Sequence, residues 1–522
     1  MSADAVVVGS GPNGLVAAVL LARAGLRVTL LEAADRFGGG LGSAELTLPG
    51  RVHDVGATVM AMALASPAFR ALGLKGVEFA HPPVPAAHPL DDRPAVLVHR
   101  DVRRTARGLG RDGPAWLASA GMVARGGLPL AELLLKPLGP WRIAPPLGRG
   151  SGRAAPADEA ASGAAPIDEA AFGAAPIDGA AFGAGAPSGD ALAVGALPVS
   201  AFVRAAAFGA MAALPATTFA RTAFRTVEAR ALLAGMAAHS LLDLRSPLTA
   251  GYGLMLASLA HLVGWPLVRG GSQVLADALV SELRALGGEA VTGHRVRRLA
   301  ELRAPVVVLD VTPRQFLAMA GDLLPARYRR RLARYRHGPG VFKMDWALDE
   351  PVPWRDPAVA GAGTVHLGGT LEEIALSEAE TAAGRHSPRP YVLLVQPYAA
   401  DPARGGHTLW AYCHVPNGSA MDMSDAIETQ IERYAPGFRD RVLARHAMGP
   451  AELEAADANL VGGDIAGGLA SLGQFVRRPV WSPAPWRTPL PGVFLCSSAT
   501  PPGPGVHGMG GWQAARLALR RR

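Results

Sequence analysis

The sequence predicts an α/β fold, in which separated segments of the 522-residue chain build a Rossmann-like parallel sheet beside an α+β region. Residues 5–32 read as strand, glycine-rich loop, helix and strand, and residues 492–519 repeat the strand, loop and helix order. Between them, residues 341–415 alternate short apolar runs with Gly/Pro turns, which is typical of antiparallel strands. The first observation carries most of the prediction.

The N-terminal segment has the order of a dinucleotide-binding unit. Ala5–Val8 is an apolar run of strand character, and a GxGxxG loop begins at Gly9. The apolar residues over 15–21 predict a helix that ends at Gly25, and Arg27–Leu31 reads as a second strand. A chance GxGxxG in a glycine-rich chain is the alternative, but the flanking strands and helix argue against it.

Each loop residue has a physical task in such a unit. Gly9 permits the tight turn, Gly11 lets a pyrophosphate approach the backbone, and Gly14 lets the helix pack closely on the strand. The helix begins at Pro12 and Asn13, where free N–H groups and the positive dipole end face the phosphates. We therefore assign all five residues to the predicted site.

An acid and an arginine extend the pattern. Glu32 ends the second strand 18 residues after the last loop glycine, close to the usual spacing of about 20 for an acid that binds a ribose. Arg36, Gly38 and Gly39 complete a stretch that resembles the E-x-x-x-R-x-G-G signature of the phytoene desaturase and amine oxidase superfamily. That resemblance implies FAD, with the arginine and glycines beside its pyrophosphate. Many relatives end this motif in GGR, whereas Gly40 stands here, so one of their contacts is missing.

Composition narrows the function classes. The chain is 49% hydrophobic and 18% charged, which indicates a globular protein. Its net charge is +8, but its basic residues are scattered except at 329–331 and 520–522, so we expect no nucleic-acid partner. Cys413 and Cys496 are the only cysteines, which excludes a disulfide framework and a zinc pattern, and we predict no metal site.

The chain carries no segment that reads as a leader or a membrane span. The first strand begins almost at Met1, and the most apolar stretch, 254–268, is interrupted by His261, Gly264 and Pro266. It is also shorter than the roughly 20 residues that a span needs. We expect a cytoplasmic protein, with peripheral membrane contact as an open possibility.

The remaining elements follow in order. Helical patterns are expected over 192–208, 222–242, 252–262, 274–286, 425–434 and 512–519, and strands over 290–296, 305–309, 341–346, 391–396, 408–415 and 492–496. Residues 154–183 hold a three-fold decapeptide repeat, predicted to lie in a flexible insertion over 148–190. We predict an FAD-binding domain built from 1–75, 268–312 and 485–522, and a substrate domain built from 76–267 and 313–484.

Segments along nearly the whole chain carry a wider resemblance. They include LPGRVHDVGATV, GWPLVRGGSQVLADAL, VVVLDVTPRQ, LWAYCHVPNGS, VGGDIAGG and FLCSSATPPGPGVHGMGGWQAA. The chain thus resembles the phytoene desaturase-like FAD oxidoreductases, in particular the branch called pyridine nucleotide-disulfide oxidoreductase domain protein 2. This resemblance implies one non-covalent FAD and adds the following cofactor residues: Val296 at the adenine, Ala499 and Thr500 near the pyrophosphate and ribityl chain, and Gly505, Val506, His507 and Gly508 at the isoalloxazine.

Three functions stay open. The first is hydride removal from a hydrophobic small molecule, as in a desaturase or dehydrogenase, with reoxidation by O2, a quinone or another acceptor. The second is a flavin amine or amino-acid oxidase, and the third is a non-enzymatic, isoprenoid-binding escort protein. His507 is the candidate catalytic residue, although it could instead hydrogen-bond the backbone of its own loop. The sequence has no CxxC, which excludes redox-active disulfide chemistry.

Overall fold

The computed structural model describes residues 3–73, 75–135 and 199–520. Its strands are β1 Ala5–Val8, β2 Val28–Leu31, β3 Ser43–Ala44, β4 His53–Asp54, β5 Phe79–Ala80, β6 Val84–His88, β7 Val96–Val98, β8 Leu267–Val268, β9 Glu289–Val291, β10 Val306–Leu309, β11 Gly340–Leu348, β12 Ala362–Leu367, β13 Val392–Val395, β14 His407–Val415, β15 Val442–Met448 and β16 Val493–Leu495.

The helices are α1 Pro12–Arg23, α2 Ala61–Ala65, α3 Pro67–Leu72, α4 Val102–Gly108, α5 Gly113–Ala118, α6 Ala120–Leu135, α7 Val199–Ala212, α8 Ala216–Ala223, α9 Val227–Ala238, α10 Thr249–Leu262, α11 Gln273–Ala285, α12 Pro313–Ala320, α13 Ala326–Leu332, α14 Leu371–Ala382, α15 Ser424–Tyr434, α16 Pro450–Ala456, α17 Leu472–Val476 and α18 Met509–Leu519. The 148–190 insertion and its repeat lie outside the described residues.

A five-stranded parallel sheet has the order β16-β10-β1-β2-β9. Strands β1, β2, β10 and β16 are short, apolar and largely buried because helices cover both faces, whereas the edge strand β9 is partly exposed. Ala5 and Val7 face α1, α11 and α18, whereas Val6 and Val8 face α12 and α13. The parallel strands bring the carboxyl ends of β1, β2, β10 and β16 to one edge, so the predicted α/β fold class is confirmed.

A second sheet has the order β15-β11-β14-β13-β12-β6-β7. It was expected to be antiparallel, but β12 pairs with β6 in parallel, so the sheet is mixed. The expectation missed β6 and β7, which come from a segment with few of the alternation signals. One face of the sheet packs on α9 and α10, and the other packs on α15.

Two predicted elements differ from the structure. The strand expected over 290–296 is β9, which ends at Val291 because its partner β2 ends opposite, at Leu31. The helix expected over 222–242 is split into α8 and α9, because the backbone is extended at Phe224 and Thr226 caps the next helix. The Thr226 hydroxyl accepts the Ala229 N–H at 3.3 Å.

No single helix among the described residues has the length and apolar composition to cross a bilayer. Two consecutive helical segments, Val203–Ala212 and Ala216–Ala223, reach this length and composition only when they are taken together, and their axes are bent by 114° relative to each other.

Candidate dinucleotide site

The glycine loop between β1 and α1 is packed so closely that side chains would not fit. A Cβ on Gly14 would lie 2.0 Å from the carbonyl oxygen of Gly9, and one on Gly11 would lie 2.6 Å from Oδ2 of Asp310. Gly9 has a φ of +93°, which favours glycine. The N-cap position of α1 is Gly11, which offers no side-chain oxygen. The N-cap residue itself therefore leaves room for an external anion, although the Gly14 N–H in the first turn already donates to the Asp310 carboxyl.

Pro12 and Asn13 fix the start of this helix. Pro12 occupies the first turn, where its missing N–H costs nothing. The Asn13 amide oxygen accepts the N–H groups of Gly510, at 3.1 Å, and Gly511, at 3.4 Å. Asn13 thus ties α1 to the N-terminus of α18 rather than pointing its side chain at a ligand.

Glu32 lies at the end of β2, beside the glycine loop. Its Oε2 accepts the N–H of Ser10 at 2.8 Å and the Ser10 hydroxyl at 2.6 Å, and its Oε1 accepts the Ala34 N–H at 2.9 Å. The Ser10 hydroxyl in turn accepts the Gly38 N–H at 3.0 Å. These bonds hold the half-buried carboxylate in place, with lone pairs left for the hydroxyls of a ribose.

The second glycine segment closes on the first. Gly38 and Gly39 have positive φ values, and a Cβ on Gly39 would lie 3.1 Å from the Cα of Gly11. The guanidinium of Arg36 packs over Gly42, and among the described residues no carboxylate lies within 4.0 Å of it. Two bare glycine turns and an arginine without an ion pair thus form a cradle that fits a pyrophosphate.

Two acids that were not expected also border this cradle. Asp310, at the end of β10, accepts the Gly14 N–H at 2.9 Å. Burial raises the pKa of Asp310 to about 7, against the effect of that hydrogen bond, and the nearby Asp457 and Glu32 raise it further. Burial and Glu32 also raise the pKa of Asp457, while Arg36 lowers it. Asp310 ends an apolar strand as Glu32 does, so the same pattern could have predicted it.

The C-terminal loop reaches the same sheet edge. Ala499 and Thr500 follow β16 and are buried. A Cβ on Gly508 would lie 2.5 Å from the Val16 side chain on α1, and one on Gly505 would lie 2.2 Å from the sulfur of Met62. The loop therefore lies against α1, and its last residues lead into the N-terminus of α18.

His507 is buried in this loop, next to Val506. One ring nitrogen lies 3.1 Å from the Gly503 carbonyl oxygen, and the other accepts the Met509 N–H at 3.1 Å. Burial lowers the pKa of His507 to about 4, so it is neutral near pH 7. Both ring nitrogens therefore contact backbone atoms of their own loop, which agrees with the alternative given above. The catalytic role of His507 stays a prediction, and neither ring nitrogen is free for it here.

Val296 lies past the end of β9, in an extended segment instead of the expected strand. Its side chain is buried in the cluster that contains Val8 and Leu31. The same segment passes Glu32, because the His294 N–H donates to the Glu32 carbonyl at 2.8 Å. Val296 therefore lies near the acidic end of the site, although its own backbone contact with an adenine stays a prediction.

The second sheet carries a buried charged pair that the sequence analysis did not single out. Lys343 Nζ donates to Oδ1 of Asp345 at 2.6 Å and lies 5.4 Å from the centre of the Trp410 ring. Trp410 in turn stacks on Tyr412, with ring centres 5.8 Å apart. The sequence could have indicated this pair, because strand alternation on β11 places Lys343 and Asp345 on one face. Both side chains are buried.

Comparisons with known sequences support the Rossmann unit and identify proteins of similar sequence. Residues 7–72 match the family model described as an NAD(P)-binding Rossmann-like domain. The chain is 28% identical over 345 residues to the rat pyridine nucleotide-disulfide oxidoreductase domain-containing protein 2, covering 56% of this chain and 59% of that protein. It is 34% identical over 113 residues to one of the subunits of limonene dehydrogenase from Castellaniella defragrans, covering 21% of this chain and 20% of that one. The chain thus spans about three fifths of the first of these relatives.

Solved structures share the whole fold. Putrescine oxidase superposes with a TM-score of 0.58 at 17% identity, covering 100% of this chain and 99% of that one. Cyclohexylamine oxidase from Brevibacterium oxydans gives a TM-score of 0.55 at 14% identity, covering 100% of both chains. At these identities the likeness shows the fold alone. The amine-oxidase-like fold and the Rossmann-like domain together support FAD as the cofactor.

Proposed function

We propose that this chain, whose fold is that of the FAD-dependent oxidoreductases, binds one FAD and uses it to remove a hydride from an apolar small molecule. The observation that carries the proposal is the meeting of the glycine loop, Glu32 and the loop after β16 at one edge of the parallel sheet. Ligands of doubly wound sheets bind at the carboxyl ends of the strands. We therefore expect the cofactor of this chain to bind at that edge of the sheet.

The residues at this edge divide the work of binding. Glu32 would accept the ribose hydroxyls, and the N-terminus of α1 with Arg36 would neutralise the pyrophosphate. The loop 499–508 and the N-terminus of α18 would hold the ring system, where a positive dipole end stabilises negative charge. When bound, FAD supplies the hydride acceptor, and the protein's part is to position the substrate and exclude water.

The buried face of the second sheet favours an uncharged substrate. Its stacked pair, Trp410 and Tyr412, already lies beside a cation of the chain itself, Lys343. Because the nearby Asp345 carboxylate is already paired with Lys343, a protonated amine that approached these rings would find no free countercharge in this pair. The match to a limonene dehydrogenase agrees with an apolar substrate. Uptake of such a substrate would be helped by peripheral membrane contact of an otherwise cytoplasmic protein, which forms part of this proposal.

An amine or amino-acid oxidase is the second candidate, because the solved structures with this fold include a putrescine oxidase and a cyclohexylamine oxidase. A binding protein without catalysis is the third. The complete glycine cradle and Glu32 argue against the third, since a protein without FAD has no use for them.

The visible absorption of the purified protein, and of the small molecule released on denaturation, tests the cofactor. A flavin spectrum released as FAD is expected; a colourless protein that takes up no FAD would overturn the proposal. The loaded protein is then mixed without oxygen with uncharged cyclic alkenes and with primary amines. Loss of flavin colour with the alkenes supports dehydrogenation, whereas loss only with amines establishes the second candidate. Reoxidation of the bleached protein by O2 or by a quinone identifies the acceptor.

A further inference from the structure

Two arginines are fully buried, and their surroundings differ. Arg404 and Arg478 are each 1% exposed. Arg404 forms ion pairs with Asp54, at 2.6 Å, and with Asp401, at 3.2 Å. In the described part of the chain, Arg478 has no carboxylate within 4.0 Å. The chain therefore keeps one buried guanidinium with countercharges and another without.

The hydrogen bonds of Arg478 go to main-chain carbonyls. Its Nε donates to Ser498 O at 2.9 Å, and its Nη2 donates to Ala466 O at 2.8 Å and to Gly467 O at 3.0 Å. Its Nη1 is buried without a partner among the described residues. Carbonyl dipoles offset part of the desolvation of a buried cation, but they do not neutralise it.

Arg478 lies against the loop that follows β16. A Cβ on Gly503 would lie 3.9 Å from Cζ, Nε and Nη1 alike, so this residue of the loop lies against the guanidinium that carries the unpartnered Nη1. The charge also reaches two tyrosines: burial raises the pKa of Tyr335 to about 12, and Arg478 opposes that rise. Arg478 opposes the smaller rise at Tyr252 as well. The buried positive charge of Arg478 thus lies beside the loop 499–508, which we expect to hold the ring system of the cofactor.

We propose that Arg478 supplies the positive charge that stabilises the reduced, negatively charged form of bound FAD. This inference rests on the proposed function. In the oxidation, a substrate C–H bond breaks and its electron pair leaves with the hydrogen as hydride to form an N–H bond on the ring. The neighbouring substrate carbon releases a proton to water as the C=C bond forms. The ring gains one negative charge, which the uncompensated guanidinium offsets in a medium that screens charges weakly.

The experiment compares three variants of the full chain loaded with FAD. Arg478→Met removes the charge and keeps most of the volume, whereas Arg478→Lys keeps the charge. Arg477→Met is the matched control, because Arg477 is the neighbouring, exposed arginine. The flavin midpoint potential is measured by anaerobic titration without substrate, together with the FAD dissociation constant and the thermal midpoint.

Arg478→Met is expected to lower the equilibrium constant for two-electron reduction at least tenfold, which is about 30 mV. Arg478→Lys and Arg477→Met are expected to stay within threefold of the unaltered chain. If Arg478→Met does not fold, Ser498→Asp serves instead, since it adds a carboxylate to the residue whose main-chain oxygen accepts from Arg478 Nε and is expected to lower the potential as well.

Three results would overturn the proposal. One is an unchanged potential in Arg478→Met with only a lower thermal midpoint, which would show that Arg478 only holds the loop in position. The second is an unchanged potential together with loss of acetate binding, measured by titrating each variant with acetate and following the flavin spectrum; it would assign the guanidinium to a substrate carboxylate. The third is an equal fall in Arg477→Met. Failure of the unaltered chain to bind FAD would overturn the proposed function and this inference together.

Discussion

At the scale of single residues, three carboxyl groups border the cradle for an anion. Burial raises the pKa values of Asp310 and Asp457; the charge of Glu32 raises both further, and Asp457 also raises that of Asp310. A bound pyrophosphate would add more negative charge. A pKa of about 7 at Asp310 means that its carboxyl can be neutral near pH 7, so the cradle tolerates an anion without a full charge beneath the loop.

The role of Glu32 is tested by Glu32→Gln. The charged acceptor becomes a neutral one, so FAD binding is expected to weaken by about 10- to 100-fold, in line with about 1.5–3 kcal/mol for a hydrogen bond to a charged group. Equilibrium titration of the apoprotein with FAD measures it. Glu289→Gln, at an exposed position on the neighbouring strand β9, is the control. Equal affinity in both variants would contradict a ribose-binding role.

The buried carboxyl of Asp310 predicts a pH-dependent stability. Because its folded pKa is raised, its favourable contribution is complete below about pH 4 and is lost as pH rises through about 7. Asp310→Asn is therefore expected to stabilise the apoprotein at pH 8, by at most about 4 kcal/mol, and to have little effect near pH 4. Urea unfolding at both pH values measures it, with the exposed Asp440→Asn as control. A gain of equal size at both pH values would count against the buried charge as its cause.

At the scale of elements, helix α9 approaches the second sheet at a glycine. A Cβ on Gly235 would lie 2.9 Å from Nδ1 of His366 and 3.0 Å from Nδ1 of His88. These histidines come from β12 and β6, so the glycine sets the distance between helix and sheet.

Gly235→Ala is expected to destabilise the protein by about 1–3 kcal/mol, because the added methyl group would push two buried rings apart. The control is Gly209→Ala on α7, where a Cβ would have nothing within 4 Å. That change is expected to stabilise by about 0.5–1 kcal/mol through helix propensity. Thermal unfolding of both variants measures the difference, and shifts of the same sign would refute the close approach.

The elements show where sequence patterns suffice. The unit from β1 to β2 was predictable because its glycine spacing and apolar runs are local. The early end of β9 was not, because it depends on where β2 ends at Leu31. Strands β6 and β7 were missed because β6 reads VPAAH, without a β-branched alternation, and forms only by pairing with its neighbours β12 and β7. Likewise, nothing near Arg478 in the sequence indicates its acceptors at Ala466 and Ser498.

At the scale of the whole molecule, one buried network links the segment before β14 of the second sheet to β4, to β8 and to the start of α11, which packs on the parallel sheet. Arg404 precedes β14 of the second sheet, and it donates to Asp54 on β4 and to the Val268 carbonyl, at 2.7 Å. Asp54 also accepts the N–H of Ser272, at the start of α11, at 2.8 Å. Partners separated by 350 residues leave no local signal, so this junction could not be predicted from sequence.

Removing the centre of this network should weaken the whole fold. Arg404→Met leaves the buried Asp54 without its cation and leaves Asp401 with only the half-exposed Arg269, 3.7 Å away, so we expect a loss of about 3–5 kcal/mol in the free energy of unfolding at pH 7. The exposed ion pair of Arg221 with Glu372 gives the control, since Arg221→Met should cost less than about 1 kcal/mol. Urea unfolding, followed by intrinsic fluorescence, measures both.

The pH dependence of that loss identifies its cause. Burial alone would raise the pKa of Asp54, but Arg404 and the hydrogen bonds to it outweigh burial, so the folded pKa lies below its ordinary value. That stabilisation is present above the unfolded pKa and is lost as pH falls. In Arg404→Met the carboxyl is left unpaired and its pKa rises, so the deficit should shrink between pH 7 and pH 4.5 and shrink again on adding Asp54→Asn. A deficit that is constant with pH would instead indicate lost packing of the arginine side chain, and the network would then join these segments by shape rather than by charge.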